Sequence, residues 1–170
     1  MSSDLLNLAA PLSDWLGATG LSHSIQTAGW IIPTLQIIHI LSIAALFTSA
    51  FLVDLRLWRL FERELPLKAV TLRFLPVIWP VLLILMTSGA LLIIAEPRRS
   101  LLNSTFYLKM ALLASAILLT ALIEWSLAFD PYFWDKSRAR RIAGLFTAAI
   151  SILIWSGVIV AGRWIAYTAV

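Results

Sequence analysis

Residues 30–53 read WIIPTLQIIHILSIAALFTSAFLV, a run of 24 residues that carries no formal charge. As an α-helix rising 1.5 Å per residue, this stretch is about 36 Å long, which is enough to cross the roughly 30 Å hydrocarbon core of a bilayer. Uninterrupted apolar runs longer than about 18 residues are typical of transmembrane helices. The stretch therefore predicts a membrane span.

Three further runs of similar length follow. Two of them lack formal charges, whereas the third contains Lys109 near one end and Glu124 near the other, both within snorkelling reach of an interface. The composition agrees, because 61% of the 170 residues are apolar and only 13% are charged, against roughly half apolar in soluble domains. We predict one all-α domain, an integral membrane four-helix bundle with spans at about 30–53, 74–95, 105–129 and 142–162.

Basic residues divide the predicted loops into two classes. Nine of them lie between the first and second or the third and fourth spans, and the positive-inside rule places such loops in the cytoplasm. Both termini are therefore expected outside, and the net charge of +4 is a topology signal that implies no nucleic-acid partner. The nine residues are Arg56, Arg59, Arg63, Lys68, Arg73, Lys136, Arg138, Arg140 and Arg141.

The N-terminal segment has its own pattern. Leucines and Trp15 recur at helical spacing opposite Asp4 and Asp14, which predicts a short amphipathic interfacial helix over about 4–18. Pro11 is expected to break or restart this helix. The first fourteen residues contain no lysine or arginine, so the basic start of a cleavable signal peptide is missing and the first span is expected to be retained.

A group of polar residues is expected in the outer half of the membrane. His39 is nine residues into the first span and Met86 is nine residues from the outer end of the second, so the two are level. Lys109 and Arg163 are expected above them, and the small residues 87–89 leave space for a close helix or a flat ligand. An imidazole ligand and two cations for propionates suit a haem. We therefore predict a haem b site with His39 as metal ligand and Met86, Lys109 and Arg163 as further cofactor-binding residues.

Each of these residues has a plainer alternative. His39 can hydrogen-bond a neighbouring helix, Met86 can fill a packing gap, and Lys109 can snorkel to water. The second axial ligand is open between Met86, none, and the His39 of a second copy. A quinone bonded by His39 or Gln36 is a further alternative, as is a non-catalytic scaffold or accessory subunit of a larger complex. Near the cytoplasmic ends, Glu124 is expected to pair with an arginine or to face a cavity.

Several short motifs carry a family resemblance. They are Pro33 followed by His39, Asp54-Leu55-Arg56, Thr87-Ser88-Gly89, Asn103-Ser104-Thr105-Phe106 leading to Lys109-Met110, and Gly162-Arg163-Trp164-Ile165-Ala166-Tyr167. Together they resemble a functionally uncharacterised bacterial four-helix membrane family, over nearly the whole chain. The resemblance implies a multi-pass protein of the bacterial inner membrane.

More distantly, a histidine in helix one and a lysine starting helix three are similar to HemJ-type protoporphyrinogen oxidases and to CopD-type membrane domains. The HemJ resemblance implies bound haem b and functional roles for His39 and Lys109. After the histidine this chain has Val53-Asp54-Leu55-Arg56 instead of the HemJ aromatic-Leu-Pro-Arg segment, so the resemblance leaves the enzymatic reaction open and assigns no catalytic residue. We expect electron transfer or a haem-dependent subunit, in a homo-oligomer or a larger membrane complex.

Overall fold

A computed structural model describes residues 3–168 of the chain, and at 3–8 and 75 it describes the backbone alone. Every regular element in this part of the chain is an α-helix. The helices are α1 (Ser3–Gly17), α2 (Gly20–Thr27), α3 (Ile31–Leu57), α4 (Leu67–Ala95), α5 (Pro97–Leu101), α6 (Ser104–Phe129) and α7 (Arg138–Trp164).

Four of the helices, α3, α4, α6 and α7, are 26 to 29 residues long and apolar enough to cross a membrane. The predicted all-helical class with four candidate spans is thus confirmed. The largest difference in bounds is at α4, which begins at Leu67, seven residues before the predicted span. The uncharged run starts only after Arg73, and a helix can continue through charged residues once it leaves the hydrocarbon.

Contacts between connections define two sides of the molecule. On the basic side, which comprises the α3–α4 and α6–α7 connections, Arg59 forms an ion pair with Asp135 at 2.7 Å. On the terminal side, which comprises α1, α2, α5 and residues 165–168, the Asn103 side chain donates to the Thr168 hydroxyl at 2.9 Å. Both ends of the described chain therefore lie on one side, opposite most of its basic residues.

The long helices pack side by side in the order α4–α3–α7–α6, and of these side-by-side contacts the one that closes the ring, between α6 and α4, is the smallest. Leu46, Trp155 and Val158 centre a cluster in the middle of the core, and a second cluster around Val53 and Ala148 lies nearer the basic side. Small buried residues on α7 allow the close approach of its neighbours, as is usual between membrane helices. Large apolar side chains cover the outer surfaces of all four helices, which suits contact with lipid.

The N-terminal helices cover the terminal side. α1 runs through Pro11 without interruption, so the expected break is wrong. A proline removes one backbone hydrogen bond, which tertiary contacts can offset: Arg98 donates to Asp14 at 2.8 and 3.0 Å, and Gly17 packs near Pro97. The side chains of residues 3–8, on which half of the predicted amphipathic face depends, lie outside the described part.

Candidate functional site

His39 and Lys109, two of the polar residues that the sequence predicts in the outer half of the membrane, lie in contact. The Lys109 Nζ is 3.2 Å from the His39 Nε2. His39 is in the third turn of α3 and Lys109 in the second turn of α6, two helices that are not neighbours in the packing order. Their side chains therefore meet across the interior, about 8 to 12 Å along their helices from the terminal side.

The other ring nitrogen has a partner on α4. The His39 Nδ1 lies 3.0 Å from the Ser88 Oγ, and the Ser88 hydroxyl donates to the Leu85 carbonyl at 3.1 Å. Because that hydroxyl proton is already used, Ser88 accepts the proton of Nδ1, and Nε2 is left to accept from the Lys109 ammonium. The hydrogen bonds thus run in one direction, from α6 through His39 to α4.

Two glycines on neighbouring helices allow the side chains of His39 and Lys109 to lie close to the backbone of those helices. A Cβ at Gly89 on α4 would lie 3.2 Å from the His39 Cε1, and one at Gly162 on α7 would lie 3.5 Å from the Lys109 Cε. The sequence suggested that residues 87–89 leave room for a close helix or a flat ligand. In the structure the imidazole ring itself lies against Gly89.

The remaining predicted residues do not join this pair. Met86 is 46% exposed on the outer surface of α4, and Ser88 supplies the α4 contact to His39. Arg163 is exposed, and its Nη2 donates to the Tyr167 hydroxyl at 2.6 Å, with the guanidinium 5.0 Å from the tyrosine ring centre. Gln36 is also exposed.

Ser88 is the functional candidate that sequence reasoning missed. A signal was available, because it is the buried hydroxyl within the small-residue stretch at the level of His39. What the sequence lacked was the face of α4 that meets α3. Residues 86 and 88 differ by about 200° around a helix, so only one of the two can point at the imidazole.

The charge of Lys109 is not compensated within the described part of the chain, where every ion pair involves other residues. Of its three ammonium donors, only the one facing His39 has a hydrogen-bond partner among residues 3–168. A lone cation in a low-dielectric interior attracts anions and carbonyl oxygens strongly. The site can therefore donate to one further acceptor group.

A second polar layer lies nearer the basic side. Asp54 on α3 is 1% exposed and faces Ser151 of α7, yet its Oδ2 has no hydrogen-bond partner among the described residues. Arg56 donates to the Leu65 carbonyl at 2.6 and 2.8 Å and so anchors the α3–α4 connection. Glu124 forms no ion pair in the described part and faces Trp79 instead.

The fold is that of a multi-pass α-helical membrane protein, with four helices able to cross a bilayer and a half-buried His–Lys pair between them. The chain belongs to a family of unknown function, DUF6644, whose sequence profile matches residues 12–168. No curated protein matches it, and no solved structure does. The resemblance to a family without a known function is thus confirmed, while no match supports the more distant likeness to HemJ-type or CopD-type proteins. In the described part, no three His, Asp or Glu side chains converge as a metal cage.

Proposed function

We propose that this chain is a haem b protein of the bacterial inner membrane, in which His39 binds the iron and Lys109 binds a propionate. The observation that carries the proposal is the 3.2 Å contact between the Lys109 Nζ and the His39 Nε2. These are the two residues to which the HemJ resemblance assigns a role. They come from helices that do not pack side by side. Their contact therefore depends on the arrangement of the whole helix bundle and not on the interface between two neighbouring helices.

The orientation of the imidazole fits a metal ligand. Histidines that bind a metal through one nitrogen usually donate the other N–H to a fixed acceptor. Here Ser88 is that acceptor, and its own bond to Leu85 holds it in place. The Nε2 atom is the one left for iron, and Lys109 has to turn away from it when haem binds. Four rotatable bonds in the lysine side chain allow this, and its ammonium is then available to a propionate.

The half-buried lysine favours a bound ligand over a purely structural contact. A neutral serine or asparagine would link two membrane helices equally well, whereas an unpaired cation in a span is costly and is a functional candidate by default. Lys109 points inward to His39 and does not snorkel outward. An anionic group at this point would offset the cost of the charge. Haem bound there supplies reversible one-electron transfer at its iron.

We further propose that His39 is the one protein ligand of the iron from this chain, because Met86 is half exposed on the other side of α4. The basic side is assigned to the cytoplasm by its nine lysines and arginines, which gives the N-out and C-out orientation and puts the site near the outer surface. A redox partner would then be a second copy or another membrane subunit.

The test is an absorption spectrum of the full chain, purified in detergent after expression with a haem precursor. We expect a Soret band that shifts on reduction and is lost in His39→Ala. His23→Ala is the matched control, because His23 is the other histidine of the chain and lies exposed on α2. Ser88→Ala keeps His39 as the iron ligand but removes the hydrogen bond that orients its imidazole ring. This variant should therefore bind haem roughly 10 to 100 times more weakly.

A colourless wild-type protein, or a Soret band that His39→Ala leaves unchanged, would refute the haem proposal. A colourless protein whose thermal stability drops in His39→Leu would point to the scaffold alternative, in which the hydrogen-bond chain only ties helices together.

A quinone is the second candidate, and the unused donors of Lys109 favour it. A quinone carbonyl could accept from Lys109 without displacing His39, and the small contact between the adjacent helices α4 and α6 would let it enter from lipid. Solvent extraction of washed protein would then yield a quinone from the wild type and none from Lys109→Met. An extract without quinone from well-folded protein excludes this candidate.

A further inference from the structure

A cavity lies on the basic side, away from His39. It is a space of about 190 Å³ at the end of α3 and the starts of α4 and α7. Leucine side chains and tryptophans 58 and 134 form its apolar wall. Its charged lining consists of Arg56, Arg59, Arg141 and Asp135. The cavity therefore combines an apolar wall with an excess of guanidinium groups.

Arg56 distinguishes this cavity from a cluster of exposed charges on the surface. The residue is 6% exposed, although arginine is almost never buried without a partner. Its Nε and Nη2 both donate to the Leu65 carbonyl, which fixes the plane of the guanidinium. Its Nη1 donors have no hydrogen-bond partner among residues 3–168. A fixed, buried arginine with free donors is suited to a bidentate anion.

Arg59 adds an independent observation. The Arg59 N–H bonds the Arg56 carbonyl and the Leu60 N–H bonds the Leu55 carbonyl, which is the Schellman arrangement at a helix end. The residue at this position takes a positive φ, here 59°, and is usually glycine because a Cβ is unfavourable there. Glycine would end the helix with less strain, but only a cationic side chain can form the ion pair with Asp135 at the rim of the cavity.

The charges around the cavity favour an anion. The cavity is lined by three guanidinium groups and one carboxylate. The carboxylate, that of Asp135, pairs with Arg59 at 2.7 Å. Arg141 lies in the first turn of α7, whose free N–H groups also favour an anion. Arginine forks match the oxygens of a phosphate. Tryptophans and leucines at the end of membrane spans suit the glycerol and upper acyl region of a lipid.

We propose that this cavity binds the phosphate group of an anionic phospholipid. The lipid phosphate bridges Arg56 and Arg59 of the α3 end to Arg141 of α7, and its glycerol lies against the tryptophans. Occupancy then fastens the α3–α4 connection to α7. The proposal is independent of what binds at His39.

The test is binding of phosphatidylglycerol and phosphatidylcholine to the full chain in detergent, by native mass spectrometry and thermal unfolding. We expect phosphatidylglycerol to bind several-fold more tightly and to raise the Tm. Arg141→Gln should weaken that binding roughly tenfold, because it removes a charge-assisted contact. Arg138→Gln is the matched control on the same exposed helix end, outside the cavity lining, and should leave the binding unchanged.

Arg59→Gly separates binding from folding. Glycine accepts the positive φ without strain, which offsets the loss of the part-exposed ion pair with Asp135. The lipid-free Tm should therefore change little, while phosphatidylglycerol binding weakens. Equal binding of the two lipids, equal losses in Arg141→Gln and Arg138→Gln, or equal stabilisation by inorganic phosphate without lipid would each overturn the proposal.

Discussion

Replacing Gly89 by alanine tests how closely α4 holds the His39 ring. The new Cβ would lie 3.2 Å from the His39 Cε1, and ordinary contacts begin at 3.4 Å. The ring therefore has to move by a few tenths of an ångström. It is bonded at both nitrogens, at 3.0 Å to Ser88 and 3.2 Å to Lys109. A shift of this size away from α4 takes the bond to Ser88, which lies on the same helix as Gly89, to about 3.3 Å, beyond the usual hydrogen-bond range.

The expected effect on stability is small. One lost hydrogen bond costs about 0.5–1.5 kcal/mol, and alanine in place of glycine within a helix gains about 1 kcal/mol. The free energy of unfolding should therefore change by less than about 1 kcal/mol. The effect on haem should be much larger, because misdirecting a metal ligand typically costs 10- to 100-fold in affinity.

The assay compares the rate at which a soluble haem scavenger removes haem from Gly89→Ala and from the wild type, together with the Tm of each. Gly157→Ala is the control, because its Cβ would lie just as close, at 3.1 Å, to the flexible end of Leu112. That end can move aside, so haem loss should match the wild type. Wild-type haem retention in Gly89→Ala, or equal losses in both variants, would show that the reasoning is wrong.

Three further predictions concern other parts of the molecule. Asn103→Ala should lower stability by about 2 kcal/mol in a chemical unfolding experiment, because it removes the N-cap of α6 and the bonds to Thr168. Asp54→Asn should raise the Tm, because Asp54 is buried with one unpartnered carboxylate oxygen in the described structure; a lower Tm contradicts this. The hydrogen bond from Lys136 lowers the pKa of Asp130, so the turn it closes should hold above the normal carboxyl pKa and open as the pH falls through the lowered pKa. Loss of amide-exchange protection at 130–136 over that pH range in the wild type, but not in Asp130→Asn, would show this.

The number and type of the helices could be predicted from the sequence because hydropathy is a local property. Any uncharged run of about 20 residues must leave water wherever its neighbours are. The same criterion missed the start of α4, since Leu67 to Arg73 form helix in the polar layer. Pro11 was misjudged for a related reason: α1 packs against α5, where Arg98 donates to Asp14 from 84 residues away along the chain, and such contacts are not a local property of the sequence.

The sequence allowed us to predict at which level in the membrane the site residues lie, but not which side of each helix faces the site. Counting residues from a span end gives a level, and this was enough to group His39 with Lys109. It could not show that Ser88 faces the imidazole while Met86 faces outward, because the facing side depends on which helices are neighbours. The order α4–α3–α7–α6 is set by the packing of the whole core, of which a single sequence contains no direct record.

The contact between His39 and Lys109 also bears on how the helices can move. The pair α3 and α4 and the pair α6 and α7 are joined along α3 and α7, while on the opposite side the contact between α4 and α6 is the smallest between adjacent helices. This is the geometry of a hinge, and the bond between His39 and Lys109 closes it across the interior. A ligand that binds Lys109 would break the bond between Lys109 and His39 and would then link α3 and α6 through its own contacts. Loading the site and opening the gap between α4 and α6 would then be a single event, with entry from the lipid.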